Sequence, residues 1–133
     1  MIILALRTDQ NVSSMFLYDK NKMIDHYEWL SQHRLALELN QKIKNFLNKN
    51  QKKLIDLDGL VVYRGPGSFT GLRIGVSLMN AISYGFNIPI VGTSSINNDS
   101  WILEGINRLF DQDNDKIVYP IYDQPIKITQ PKK

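Results

Sequence analysis

The 133-residue sequence contains no cysteine and only two histidines, and these absences exclude several classes of protein. Without thiols there is no disulfide scaffold, no cysteine nucleophile and no thiolate metal site. His26 and His33 are too few for a metal cage built from imidazoles. The excess of positive over negative charge is also small. The formal net charge is only +3, so composition alone does not indicate a nucleic-acid-binding protein.

Long apolar runs are missing as well. The opening run, residues 1–6, is interrupted by Arg7, which makes it too short for the apolar core of a signal peptide. No run of about 18 apolar residues, the length that crosses a membrane, is present. From these absences we expect a cytoplasmic protein without membrane contact. The chain length suits one domain, and 43% hydrophobic with 22% charged residues suits a folded core.

The apolar pattern predicts a mixed β-sheet with flanking helices, which is an α/β domain. Three opening strands joined by short turns predict an antiparallel meander. Later strands alternate with helices, as in layered α/β domains. The predicted strands cover residues 2–8, 12–18, 23–29, 59–63, 88–91 and 117–122.

Three helices are predicted between and after these strands. The first begins at the N-cap Ser31 and ends near residue 49, and the second covers residues 71–85. The third is capped by Thr93 or Ser94 and ends near Phe110. We expect one folded unit over residues 1–123 and a flexible tail over 124–133.

A glycine-rich segment connects a predicted strand to the second helix, a place where backbone N–H groups can hold a phosphate. It ends Gly71-Leu72-Arg73, so it lacks the Gly-Lys-Ser/Thr end of a Walker loop. Two interpretations stay open, a tight structural turn and a weak phosphate-binding loop. The candidate residues for the loop are Gly65, Gly67, Ser68, Thr70 and Gly71.

The second helix is apolar around most of its circumference. One side carries Leu72, Val76, Met79 and Ile82, and another carries Ile74, Leu78 and Ala81. A surface helix normally has a single apolar face. The helix therefore either lies in the middle of the domain or binds a second surface. Because helices form the outer layer of a small α/β domain, we expect an interface with another protein.

Catalytic and metal-binding patterns are not recognised. Asp111, Asp113 and Asp115 alternate like the start of a calcium loop, but the glycine and the final glutamate of such a loop are missing. The sequence therefore predicts no catalytic residue, no metal site and no cofactor.

The run RGPGSFTGLRIG, residues 64–75, resembles the signature of the bacterial TsaB family, also called YeaZ. The opening pattern of strand, threonine and strand is similar to the family, and so is the run IPIVGTSS at residues 88–95. The resemblance implies one lobe of the two-lobed actin-like (ASKHA) fold, in a shortened form that lacks most of the second lobe. It implies a non-catalytic scaffold in the threonylcarbamoyladenosine modification of tRNA, which docks on the catalytic subunit TsaD, with the ATPase TsaE as a further partner.

The resemblance places the contact with TsaD on the helices predicted at 31–49 and 71–85. The expected interface residues are Leu35, Leu39, Ile74, Gly75, Leu78, Ala81 and Ile82. Two alternatives stay open, a homodimer formed without TsaD and a nucleotide-binding remnant. Where the family usually has Asp-Thr-Ser, this chain has Arg7-Thr8-Asp9, and a guanidinium there repels a metal cation.

Lysines are the last open feature of the sequence. Two interpretations of these lysines stay open: they are solvated at the end of a helix, or they contact tRNA phosphates. The two groups are Lys42, Lys44, Lys49, Lys52 and Lys53 near the first helix and Lys127, Lys132 and Lys133 in the tail.

Overall fold

A computed structural model of the chain describes residues 1–94 and 100–122. The predicted antiparallel meander is confirmed, as β1 (Ile2–Arg7), β2 (Val12–Asp19) and β3 (Lys22–Leu30). Along β2, buried residues alternate with half-buried or exposed ones, so the strand has one face in the core and one nearer solvent.

Two parallel strands complete the sheet. β4 (Gly59–Tyr63) pairs with β1, and β5 (Ile90–Thr93) pairs with β4, which gives the order β3-β2-β1-β4-β5. Both are buried throughout, as expected of strands covered on two faces. The start predicted for the strand over 88–91 was too early, because β5 begins after Pro89, which lacks an N–H for the ladder.

Three helices flank the sheet, α1 (Leu35–Lys49), α2 (Phe69–Phe86) and α3 (Ser100–Phe110). The prediction of Ser31 as the N-cap of α1 was wrong, because a short 3-10 turn over Gln32–Arg34 precedes the helix. The Ser31 hydroxyl is instead 2.7 Å from the hydroxyl of Ser13 in β2.

The prediction of Thr93 as the cap of the third helix was also wrong. Thr93 lies in β5, and its hydroxyl donates to the Trp101 carbonyl at 2.9 Å rather than capping a helix. The alternative cap, Ser94, stays a prediction, because residues 95–99 fall outside the part that the structure describes.

The predicted final strand over 117–122 is not formed. Val118 makes both of its backbone hydrogen bonds with the side chain of Asn80 in α2, at 2.9 Å each. Pro120 has no N–H to give to a ladder. The Ile121 N–H donates to the Arg64 carbonyl just after β4 at 2.6 Å, but the segment forms no strand. The predicted tail over 124–133 lies outside the described residues.

The sheet separates two apolar cores. On one side, α1 and α2 pack over Leu4, Leu6, Met15 and neighbouring strand residues. On the other side, α3 packs over the strands around Trp101, which is 1% exposed. This three-layer arrangement confirms the predicted α/β class. Within residues 1–94 and 100–122, no helix has the length and apolar character needed to cross a membrane.

Candidate functional site

The glycine-rich turn lies between β4 and α2 at the end of the sheet. Gly65 has a φ of +114°, a conformation that side chains disfavour, and precedes the cis peptide to Pro66. The Tyr63 hydroxyl donates to the Pro66 carbonyl at 2.9 Å. The turn is therefore stabilised by a hydrogen bond within the chain.

Three glycines spaced four residues apart pack against the turn that follows β1. A Cβ on Gly71 would lie 2.0 Å from the Thr8 carbonyl oxygen, and one on Gly75 would lie 2.1 Å from the Thr8 hydroxyl. Likewise, a Cβ on Gly67 would lie 2.5 Å from the Asp9 Cβ. The Thr8 hydroxyl also donates to the Gly71 carbonyl at 2.7 Å. This close approach explains by packing alone, without a bound ligand, why glycine occupies these positions.

Asp9 and Arg7 form a partly buried ion pair beside this turn. The Arg7 Nε donates to Asp9 Oδ1 at 2.7 Å, and Nη2 donates to Oδ2 at 3.2 Å. Asp9 is only 8% exposed, and the Arg7 guanidinium lies 3.9 Å from the centre of the Tyr63 ring. Both carboxylate oxygens are thus engaged by a permanent cation. Among the described residues no group of three or more acidic or histidine side chains is placed to hold a metal ion.

A polar cleft of about 470 Å³ opens at the N-terminus of α2. Of the phosphate-loop candidates, Ser68, Thr70 and Gly71 line it, together with Thr8 and Asp9. Gly65 and Gly67 are buried outside its lining. The structure thus brings together only part of the predicted loop, and it places a carboxylate in the same wall.

The two apolar sides of α2 have different surroundings. Met79 and Ile82, on the side predicted to carry them, are buried in the core under α1 and α2. Ile74 and Leu78 are half-buried at the edge of that core, and Ala81 is exposed. The helix therefore buries one side within the domain and leaves the other at the surface.

Four of the predicted interface residues are core residues of this chain. Leu35 and Leu39 are 4% and 1% exposed, Ile82 is 5% exposed, and Gly75 is buried against Thr8. These four residues already pack within the chain, and their direct contact with a partner stays a prediction. Ile74, Leu78 and Ala81 remain as surface candidates.

A groove of about 540 Å³ runs between α1 and α2. Leu39 lies in its wall with Ala36 of α1, and Ile74 and Leu78 line it from α2. Arg73, Ser77, Asn40 and Thr70 give it polar edges. An apolar groove with a polar edge is the usual shape of a site for a helix of another protein.

Sequence reasoning missed one exposed apolar residue of α1. Leu37 of α1 is 78% exposed. The signal was available, because the buried stripe of α1 runs through Leu35, Leu39 and Ile43 and leaves Leu37 off it.

Comparisons with known proteins agree with the fold. A family model described as "TsaD: tRNA N6-adenosine threonylcarbamoyltransferase" matches residues 30–98, just over half of the chain. The solved structure of YeaZ from Pseudomonas aeruginosa superposes with a TM-score of 0.65 at 23% identity, covering 71% of this chain and 44% of that one.

Two curated relatives are named "tRNA threonylcarbamoyladenosine biosynthesis protein TsaB". The Escherichia coli protein is 30% identical over 72% of this chain and 41% of its own length. The Bacillus subtilis protein is 30% identical over 92% of this chain and 50% of its own length. The chain spans about half the length of the relatives that it matches. With the signature at residues 64–75, the shared fold and these relatives, the chain belongs to the TsaB (YeaZ) family.

Proposed function

We propose that the chain is a scaffold subunit in the threonylcarbamoyladenosine modification of tRNA, and that it docks on a TsaD-type catalytic subunit through α1 and α2. The names of the two curated relatives support a role in threonylcarbamoyladenosine biosynthesis. The observation that carries the docking is the groove between α1 and α2, where Ile74 and Leu78 stay half-buried in the isolated chain.

Docking would complete the burial of these side chains. A partner helix laid along the groove would remove Ile74 and Leu78 from water, and each side chain would contribute up to about 1 kcal/mol. Ala81 and Leu37 lie at exposed positions of the same two helices and would extend the contact. A homodimer through the same surface is the competing arrangement.

The ion pair of Arg7 with Asp9 supports a non-catalytic role. A carboxylate with both oxygens bound to a guanidinium is poorly placed to accept a hydrated metal ion. The proposal assigns catalysis to the TsaD-type partner and ATP hydrolysis to a TsaE-type partner. It also places the protein in the cytoplasm, where tRNA is modified.

Leu78→Asp tests the docking surface. A carboxylate in the groove would remain unpaired on binding, so we expect complex formation with the TsaD protein of the same organism to weaken at least about tenfold. Light scattering on a size-exclusion column measures it. Leu103→Asp is the matched control, because Leu103 is 49% exposed on α3, across the sheet.

Folding must be separated from binding in this test. Leu78 is half-buried, so its substitution should also cost about 1–2 kcal/mol of unfolding free energy, which circular dichroism would follow. Ala81→Asp, at an exposed position, should weaken pairing with little loss of stability. The docking proposal is wrong if pairing survives both changes, or if the chain forms a stable homodimer that ignores TsaD.

A further inference from the structure

The lysines around α1 are divided between two surfaces. Residues 39–55 contain five lysines and no acidic residue. Lys42 donates to the Tyr27 hydroxyl at 3.2 Å, and Lys49 pairs with Asp25 at 3.4 Å, so these two face β3. The other three line a separate groove near the C-terminal ends of α1 and α2, namely Lys44, Lys52 and Lys53.

This second groove, which we call the basic groove, combines positive charge with exposed apolar side chains. It encloses about 480 Å³. Ile55 and Phe86 in its lining are 74% and 44% exposed, and Leu54 is half-buried beside them. Exposed aliphatic and aromatic groups of this size, gathered within one concave surface, indicate a binding site.

The positive charge of the basic groove is not neutralised within the described chain. Its lining contains no aspartate or glutamate. In the part of the chain that the structure describes, no ion pair involves Lys44, Lys52 or Lys53. The carboxylate of the neighbouring Asp56 accepts the backbone N–H of Lys53 at 2.8 Å. Three lysines thus line the same groove as these apolar side chains.

We propose that the basic groove binds an acidic segment of another protein, with an apolar side chain of that segment seated on Ile55 and Phe86. Charge complementarity selects the acidic flanks. The exposed aliphatic surface favours a protein segment over RNA, because nucleobases stack on aromatic rings, whereas Ile55 and Leu54 offer only aliphatic contacts. Both grooves lie on α1 and α2, but they share no lining residue, so variants can test them separately.

Fluorescence anisotropy with a labelled synthetic peptide tests the proposal. The probe is a twelve-residue peptide with a central Leu-Phe pair flanked by aspartate and glutamate, and the comparison peptide has serine in place of Leu-Phe. We expect a Kd of about 100 µM or tighter for the probe, and at least about tenfold weaker binding for the serine peptide.

Variants then locate the site. Phe86→Ser and the double variant Lys44→Glu/Lys52→Glu should each weaken binding about tenfold. The double variant Lys20→Glu/Lys22→Glu, at the turn between β2 and β3, makes the same change of charge elsewhere and should leave binding unchanged. Leu78→Asp should also leave it unchanged, which separates this site from the docking on TsaD.

Three results would overturn the proposal. One is absence of binding at 1 mM peptide, about tenfold above the expected Kd. Another is equal loss of binding in the Lys20/Lys22 control, which indicates a diffuse charge effect. The third is tighter binding of a tRNA anticodon stem-loop that depends on Lys44 and Lys52 but not on Phe86, which makes the groove a nucleic-acid surface.

Discussion

Gly75 and Gly85 lie in the same helix but in opposite surroundings. A Cβ on Gly75 would meet the Thr8 hydroxyl at 2.1 Å, whereas a Cβ on Gly85 would meet nothing within 4 Å. Thr8 cannot move freely, because its hydroxyl is bonded to the Gly71 carbonyl. We expect Gly75→Ala to lower the unfolding free energy by about 2 kcal/mol.

Gly85→Ala is the matched control for that change. It removes a flexible residue from a helix without creating a contact, so it should raise the unfolding free energy by about 0.5–1 kcal/mol. Urea denaturation of both variants measures the difference. Equal stabilities would show that α2 does not pack on the turn after β1 as closely as the structure has it.

The Asp25 side chain leads to a prediction about how the stability of the fold depends on pH. The hydrogen bond from Asn50 lowers the pKa of the Asp25 carboxyl below 3.8, burial opposes this, and the His26 N–H and Lys49 also lower the pKa. The carboxylate form therefore stabilises the fold at pH above 3.8, and this contribution is lost as the pH falls below that value.

Asp25→Asn should flatten this part of the acid profile. We expect the variant to lose about 0.5 kcal/mol at neutral pH and to show less further loss on acidification than the parent. Asp111→Asn serves as the control, because within the described residues Asp111 makes no ion pair. Urea midpoints over a pH series measure both, and identical profiles would remove Asp25 from the acid response.

Helices and strands were predicted well where one hydrophobic period dominates. Helix starts were predicted poorly where a polar side chain has more than one possible hydrogen-bond partner. The stripe of Leu35, Leu39 and Ile43 predicted α1, but Ser31 suggested an N-cap that the structure does not use. Its hydroxyl is engaged by Ser13 of β2, a contact between residues 18 positions apart. Local capping rules do not include such a partner.

The glycine-rich turn between β4 and α2 leads to a prediction about nucleotide binding. Its glycines pack on Thr8 and Asp9, and the carboxylate of Asp9 lies in the wall of the adjacent cleft. The described lining of this cleft contains no lysine or arginine that could bind a polyphosphate. We therefore expect ATP or ADP with magnesium to bind more weakly than about 100 µM, roughly 5.5 kcal/mol, in calorimetry. Tighter binding would restore the phosphate-loop interpretation.

At the level of the whole molecule, one sheet joins the two cores, so they should unfold together. Trp29 lies in the core under α1 and α2, and Trp101 lies in the core under α3. In Trp29→Phe and Trp101→Phe, the fluorescence of the remaining indole reports one core at a time. We expect each transition to coincide with the loss of helical circular dichroism measured on the same variant. Separate transitions would mean that α3 unfolds independently.

The sequence by itself determined the class of fold, the type of most elements and the family, because alternating and helical periods and a twelve-residue signature are local patterns. Tertiary structure alone decided which apolar residues stay available. Leu35 and Ile82 have the same apolar character as Ile74 and Leu78, yet only the latter pair reaches the surface. It also separated the lysines of one stretch onto two faces and matched Gly71 to Thr8, 63 positions away. Burial depends on the packing of distant elements, and no local pattern contains that information.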